Sequence, residues 1–285
     1  MSEPSPHRRR PRYAGKYPRS FEEKYKELNP ERYADTVAHV LAGGKTPAGQ
    51  HVPIMVGEIM QALCVQAGER VTDCTLGYGG HAEELLKAVQ PGGCLLGVDQ
   101  DPIELPKTET RLRSAGFPAE SLQCERTNFV ALRTVLSKIG WHDGADAILA
   151  DLGVSSMQLD KDQRGFTYSR NAPLDMRMDG TTGQTAADIV NNYDFANLAR
   201  ILREYGEERF AARVANAIIR EREVKPFTNS DHLVTVVRDA IPAATRRTGG
   251  NPAKRTFQAL RIEVNDELAV LERAIPAALD CLALD

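Results

Sequence analysis

Three places in this 285-residue chain have the residue types and spacing of a nucleoside site. The first is the glycine-rich turn L-G-Y-G-G-H at Leu76–His81, which follows the short apolar run V-T-D-C-T. Glycines carry no Cβ, so the backbone can turn sharply into a helix and approach a ligand closely. The second is Asp99, 22 residues after Gly77, near the spacing expected of an acid that accepts both hydroxyls of a ribose. The third is Asp151, which closes another apolar run, at the end of the sheet where reaction chemistry is usually found. A glycine turn alone is as readily a tight strand-to-helix connection. An aspartate buried only for packing, however, would be expensive, so Asp99 reads as a ribose acceptor. The turn is not a spaced G-x-G-x-x-G, no basic residue follows it to hold a pyrophosphate, and the chain has no G-K-[ST]. A nucleoside without phosphates fits better, and S-adenosylmethionine is a ligand of that kind.

The elements that must position these residues alternate. Ile54–Cys64 has helical apolar spacing, V-T-D-C-T is a strand, and A-E-E-L-L-K-A-V is a short helix closed by Pro91, Gly92 and Gly93. C-L-L-G-V-D is a second strand ending at Asp99. Residues 102–115 look helical, with Pro106 interrupting them. Leu122–Glu125 is a third strand, Val130–Ile139 a helix, and A-D-A-I-L-A-D-L a fourth strand reaching Asp151. Strands alternating with helices predict an α/β fold with a parallel, doubly wound sheet. From Gln158 to Pro242 the pattern is helical only, over Thr185–Val190, Asp194–Tyr205, Glu207–Glu223 and Ser230–Ala240, the last with Ser230 as its N-cap. One long helix, Thr256–Leu282, follows. The organisation expected is a basic arm over 1–48, an α/β domain over 49–157 and 247–285, and a helical insert over 158–246.

Composition narrows the class. Apolar residues at 42% and charged residues at 26% are those of a globular protein, and no apolar run reaches 18 residues, so no membrane partner is expected. The five cysteines form no C-x-x-C pair, which argues for reduced thiols in the cytoplasm and against a metal site. The net charge of −3 hides two basic clusters. One is Arg8, Arg9, Arg10, Arg12, Lys16 and Arg19; the other is Arg246, Arg247, Lys254, Arg255 and Arg261. Such patches can hold phosphates on a molecule that is acidic overall. The arm reads first as a disordered extension, and that reading is compatible with attraction to RNA.

Longer blocks carry a family resemblance. They are H-V-P-I-M-V-G-E at His51–Glu58, D-C-T-L-G-Y-G-G-H at Asp73–His81 and D-L-G-V-S-S-M-Q-L-D at Asp151–Asp160. R-G-F-T-Y-S-R-N-A-P-L-D-M-R-M-D follows at Arg164–Asp179, then Y-G-E-E-R at Tyr205–Arg209 and N-P-A-K-R-T-F-Q-A-L-R-I-E-V-N-D-E-L at Asn251–Leu268. From His51 onward the chain resembles the ribosomal small-subunit RNA cytosine-N4 methyltransferases. The resemblance implies a class I S-adenosylmethionine-dependent methyltransferase fold, Rossmann-like, with an all-helical domain inserted after strand four. It also implies methylation of the exocyclic N4 of a cytidine in the decoding centre of 16S rRNA. The implied partner is that rRNA or the small ribosomal subunit, with a homodimer as one possible assembly.

By the same resemblance Gly79, Gly80 and His81 are glycine-turn contacts to the cofactor, Asp99 is the ribose acid, and Phe129 lies near the adenine. Asp151 and Gln158 supply the remaining cofactor contacts. Read from the residues alone, Phe129 is ordinary core and Cys74 a buried small hydrophobe. Many amino-methyltransferases have D-P-P-Y after strand four. This chain has D-L-G-V, so Asp151 or neighbouring carbonyls become the candidate catalytic acceptor for the amine proton. Arg164, Lys254 and Arg255 are candidate RNA phosphate contacts, though each could equally form a surface ion pair. Phe166 or Tyr168 could stack on a base, with core packing the plainer expectation for Phe166. The chain ends at L-D-C-L-A-L-D, where the family continues with a glycine turn, a strand and an S-F-H-S-L-E-D-R type block. A C-terminally truncated family member with strand four at a sheet edge is therefore expected. The competing function is a non-catalytic RNA-binding or assembly factor that keeps a cofactor pocket.

Overall fold

A computed structural model of the chain describes residues 53–155, 158, 159, 161–246 and 250–284. The arm expected over 1–48 lies outside the described residues, as do Arg247 and Asp160. The chain divides into a unit ending at Ile54 and a second spanning Met55–Asp285, to which the following elements belong.

Helix α1 (Val56–Leu63) leads into strand β1 (Arg70–Asp73), helix α2 (Gly80–Val89) and strand β2 (Cys94–Asp99). Helix α3 (Glu104–Ser114), strand β3 (Leu122–Arg126), helix α4 (Leu132–Lys138) and strand β4 (Ala147–Leu149) complete the alternation. All pairings are parallel in the order β3-β2-β1-β4, with Asp73 level with both Gly97 and Leu149. Central strands of such a sheet are buried on both faces. In β2, Leu95 joins Leu85, Leu86 and Leu112 on one face, while Leu96 and Val98 join Leu132, Leu136 and Trp141 on the other. Pro106 does not interrupt α3. It is the third residue of the helix, inside the first turn, where no intrahelical partner awaits its missing N–H.

Beyond β4 the described residues form helices. These are α5 (Ala186–Asn192), α6 (Phe195–Glu204), α7 (Ala211–Val224), α8 (Ser230–Ala240), the single turn α9 (Ala243–Arg246), α10 (Lys254–Val264) and α11 (Glu267–Leu279). Three expectations need correction. The helix expected to begin at Glu207 starts four residues later, after Glu207 itself takes φ 50°. Ser230 is not the cap of α8: Asn229 accepts from the His232 N–H, and the buried Ser230 hydroxyl donates to the Arg170 carbonyl and accepts from the Ala172 N–H. The long helix expected over 256–282 is two helices. Asp266 at φ 49° breaks it, and Asn265 bonds the backbone of Met176 and Met178.

That break marks a change of packing partner. Phe257, Ala259 and Leu260 of α10 share one core with α5–α8, whereas Cys281, just beyond α11, packs with Leu132 and Trp141 beside the sheet. Packing thus groups α10 with α5–α8, and Asn265 lies where the packing partner changes. Among the described residues, no helix is long and apolar enough to cross a membrane.

Candidate functional site

The site lies where β1, β2 and β4 deliver their C-terminal ends, and it begins with backbone geometry. Gly77 at φ 50° and Gly79 at φ 79° take left-handed conformations that turn the chain from β1 into α2. Two side chains of α3 hold this turn from outside. The Thr108 hydroxyl donates to the Gly77 carbonyl. Arg111 donates to the carbonyls of Tyr78 (2.6 Å) and Gly79 (3.1 Å), pairs with Glu83, and lies 4.4 Å over the Tyr78 ring.

On the inner side, Gly77 N–H donates to Asp99 Oδ2 at 2.8 Å, and Asp101 N–H donates to Oδ1 at 2.8 Å. Each carboxylate oxygen therefore has lone-pair capacity left for a further donor. Burial raises the Asp99 pKa, opposed in part by those amides. Phe129 begins a 3-10 turn beside the end of β2 and is half-buried against Val98, Leu132 and their neighbours. It is fixed there because Thr127 N–H donates to the Asp99 carbonyl and Asn128 donates to Gln100 Oε1.

Asp151 stands two residues past β4. Its N–H donates to Thr75 Oγ1 at 2.8 Å, and that hydroxyl reaches Asp73 Oδ1 at 3.3 Å. The β4 loop is thereby tied to the end of β1. The Asp151 carboxylate is 44% exposed and lies 3.9 Å from Nδ1 of the buried His81. Asp73 itself is buried, and burial pushes its carboxyl up to about 6 even though the Thr75 amide and His81 pull the other way. Burial also pushes the Cys74 thiol up to about 12, with Asp73 and Cys281 adding to the shift.

Gly79, Gly80, His81, Asp99 and Asp151 thus converge, with Phe129 alongside. Gln158 is buried one step behind, donating to Asp101 Oδ2 at 3.2 Å and accepting from Ser155 N–H. Arg164 departs from expectation. Its guanidinium is buried against Asp101 at 2.7 Å and donates to the carbonyls of Arg177 and Met178, so its donors point into the protein and not toward phosphates. Lys254 and Arg255 are exposed at the start of α10, where Arg255 donates to the Glu207 carbonyl. Phe166 is buried in the helical core, and Tyr168 packs edge-on to Phe257.

Sequence reasoning missed Asp73, Thr75, Asp101 and Arg111. For Asp101 there was a signal: D-P-I-E has the spacing of a capping sequence, and the Asp101 carboxylate does accept from Ile103 N–H and Glu104 N–H ahead of α3.

The donor set suits an uncharged ribose better than a phosphate. The Asp99 carboxylate stands beside the glycine turn, and the guanidinium that holds that turn, Arg111, is occupied by Glu83 and two carbonyls. Among the described residues no group of His, Cys, Asp and Glu side chains converges in a way that could hold a metal ion.

The model of the MraW methylase family matches residues 48–285. The chain belongs to that family. As a methylase of this family it has the class I methyltransferase fold, consistent with the parallel order β3-β2-β1-β4. It is 54% identical over 237 residues to the ribosomal RNA small subunit methyltransferase H of Parafrankia sp. (strain EAN1pec), covering 82% of this chain and 71% of that protein. The same-named protein of Frankia alni is 53% identical over 82% of the chain and 72% of its own length. The ribosomal RNA small subunit methyltransferase H 1 of Agathobacter rectalis is 42% identical over 95% of the chain and 78% of its own length.

Proposed function

We propose that this methylase transfers a methyl group from S-adenosylmethionine to the exocyclic N4 of a decoding-centre cytidine in small-subunit rRNA. The observation that carries the reading is the Asp99 carboxylate, set beside a left-handed glycine turn in a chain 54% identical to a small-subunit rRNA methyltransferase.

When bound, the cofactor supplies an electrophilic methyl on a sulfonium sulfur. Asp99 would accept hydrogen bonds from the ribose hydroxyls, the Gly79–His81 turn would hold the cofactor, and Phe129 would lie near the adenine. The cytosine amine is a poor nucleophile because its lone pair is delocalised into the ring, so alignment is the main lever. Asp151, partly exposed beside His81 and with its backbone held by Thr75, accepts the amine proton as positive charge develops on N4. The base must leave its stack to reach this position. The helical unit presents the RNA, with Lys254 and Arg255 meeting its phosphates.

The test is incubation with methyl-labelled S-adenosylmethionine and small subunits that lack native N4 methylation, followed by mapping of the label. Label on one decoding-centre cytidine amine establishes donor, substrate and atom together. Cofactor binding without label on those subunits would favour a non-catalytic assembly factor and refute the proposal.

A further inference from the structure

Arg164, expected at the RNA, closes a buried network instead. The network touches proposed cofactor residues on one side and the helical unit on the other. Asp101 is 1% exposed, and both of its oxygens are used. Oδ1 accepts from the N–H groups of Ile103 (2.9 Å) and Glu104 (3.2 Å). Oδ2 accepts from Arg164 Nη1 (2.7 Å) and Gln158 Nε2 (3.2 Å), while the Asp101 N–H donates to Asp99. The other arm of the Arg164 fork, Nη2, donates to the carbonyls of Arg177 (3.1 Å) and Met178 (2.7 Å). Met178 N–H in turn donates to Asn265, the residue at which packing changes partner.

An enclosed ion pair is a poor source of stability, because desolvation offsets most of the attraction. Its distinctive property is direction. A planar guanidinium holds a carboxylate on one edge and carbonyls on the other at fixed angles, which an apolar pair of equal volume does not. Burial alone would raise the Asp101 carboxyl, but the Ile103 amide and Arg164 hold it below its ordinary value, so the pair stays ionic.

We propose that Asp101 and Arg164 are positioning residues. They set Gln158 and Asp99 for the cofactor and keep the 164–178 segment in register with them, a role that rests on S-adenosylmethionine being the cofactor. The test uses D101N/R164Q, which removes both charges so that neither is stranded. Its melting temperature, its affinity for S-adenosylhomocysteine by calorimetry and its kcat are compared with wild type. The double variant is expected to melt near wild type yet bind S-adenosylhomocysteine on the order of 10-fold more weakly, since misplacement of a positioned group by about 1 Å is costly.

A second variant, R164K, keeps the charge facing Asp101 but loses the fork. It is expected to hold cofactor affinity while kcat falls roughly 10-fold, the mark of an interaction that matters in the transition state. A folded D101N/R164Q that binds S-adenosylhomocysteine within about twofold of wild type overturns the role. Should D101N/R164Q fail to fold, R164K with wild-type kcat overturns it equally. Wild-type protein that binds no S-adenosylhomocysteine removes the cofactor reading, and this role with it, before any variant is compared.

Discussion

Replacing Gly79 with alanine tests whether the turn is held by its surroundings as tightly as its geometry implies. The residue sits at φ 79°, ψ 28° as the N-cap of α2. A side chain in that left-handed region costs about 1–2 kcal/mol. The added Cβ would also stand 2.8 Å from Thr108 Cγ2, 3.1 Å from Arg111 Nη2 and 3.1 Å from Leu112 Cδ1. Thr108 cannot swing aside freely, because its hydroxyl is bonded to the Gly77 carbonyl. Relief of such crowding costs a further ~1–3 kcal/mol. A total near 3 kcal/mol corresponds to a fall in melting temperature of roughly 6–12 °C for a unit of this size. Thermal unfolding followed by circular dichroism measures it. T108S removes the clashing methyl and keeps the hydroxyl, so G79A/T108S should regain about 1 kcal/mol of the loss and leave the backbone part. Unfolding of G79A within about 2 °C of wild type would refute the reasoning. Absence of rescue by T108S would confine the cost to the backbone.

The remaining predictions concern charge. Asp73, raised to about 6 from 3.8, contributes stability that is fully present below pH 3.8 and lost as pH rises through 6. D73N, fixed in the neutral form, should therefore be more stable than wild type at pH 8, by on the order of 2 kcal/mol, with little difference at pH 4; equal denaturation midpoints at pH 8 would count against it. D151A should lower kcat about 100-fold or more even at saturating S-adenosylmethionine, and full turnover under saturation would remove Asp151 from the proton-accepting role. K254E/R255E should weaken RNA binding and reduce the slope of log affinity against log salt by about 2, read from filter binding at several salt concentrations; an unchanged slope would place the phosphates elsewhere.

What could be read from the sequence was what periodicity and turn chemistry encode. Leu95, Leu96 and Val98 announce a strand buried on both faces, and the β2 boundary at Asp99 falls where the apolar run stops. The glycine turn, Asp99 and Asp151 were legible because each sits at the end of such a run, whereas Asp73 and Asp101 do not. Features set by distant partners were not. Asn265 and Asp266 sit inside an apolar pattern that continues unbroken at helical spacing, and only the Met176 and Met178 backbone explains the break. Ser230 has the type of a cap, but its hydroxyl ties Arg170 to Ala172, 58 residues away from the latter. Arg164 has the composition of an RNA contact. Its true partner is a carboxylate 63 positions earlier, and no local pattern reveals that.

The buried thiol next to Asp73 has a consequence for self-damage. A sulfonium methyl donor is an alkylating agent, and thiolates are among the strongest nucleophiles a protein offers. Cys74 sits between Asp73 and Thr75, which are bonded to each other, and with its thiol pushed up to about 12 only ~10⁻⁵ of it is ionised at neutral pH. With S-adenosylmethionine in the proposed site, Cys74 would stay unmethylated while a reactive electrophile is held at the end of β1.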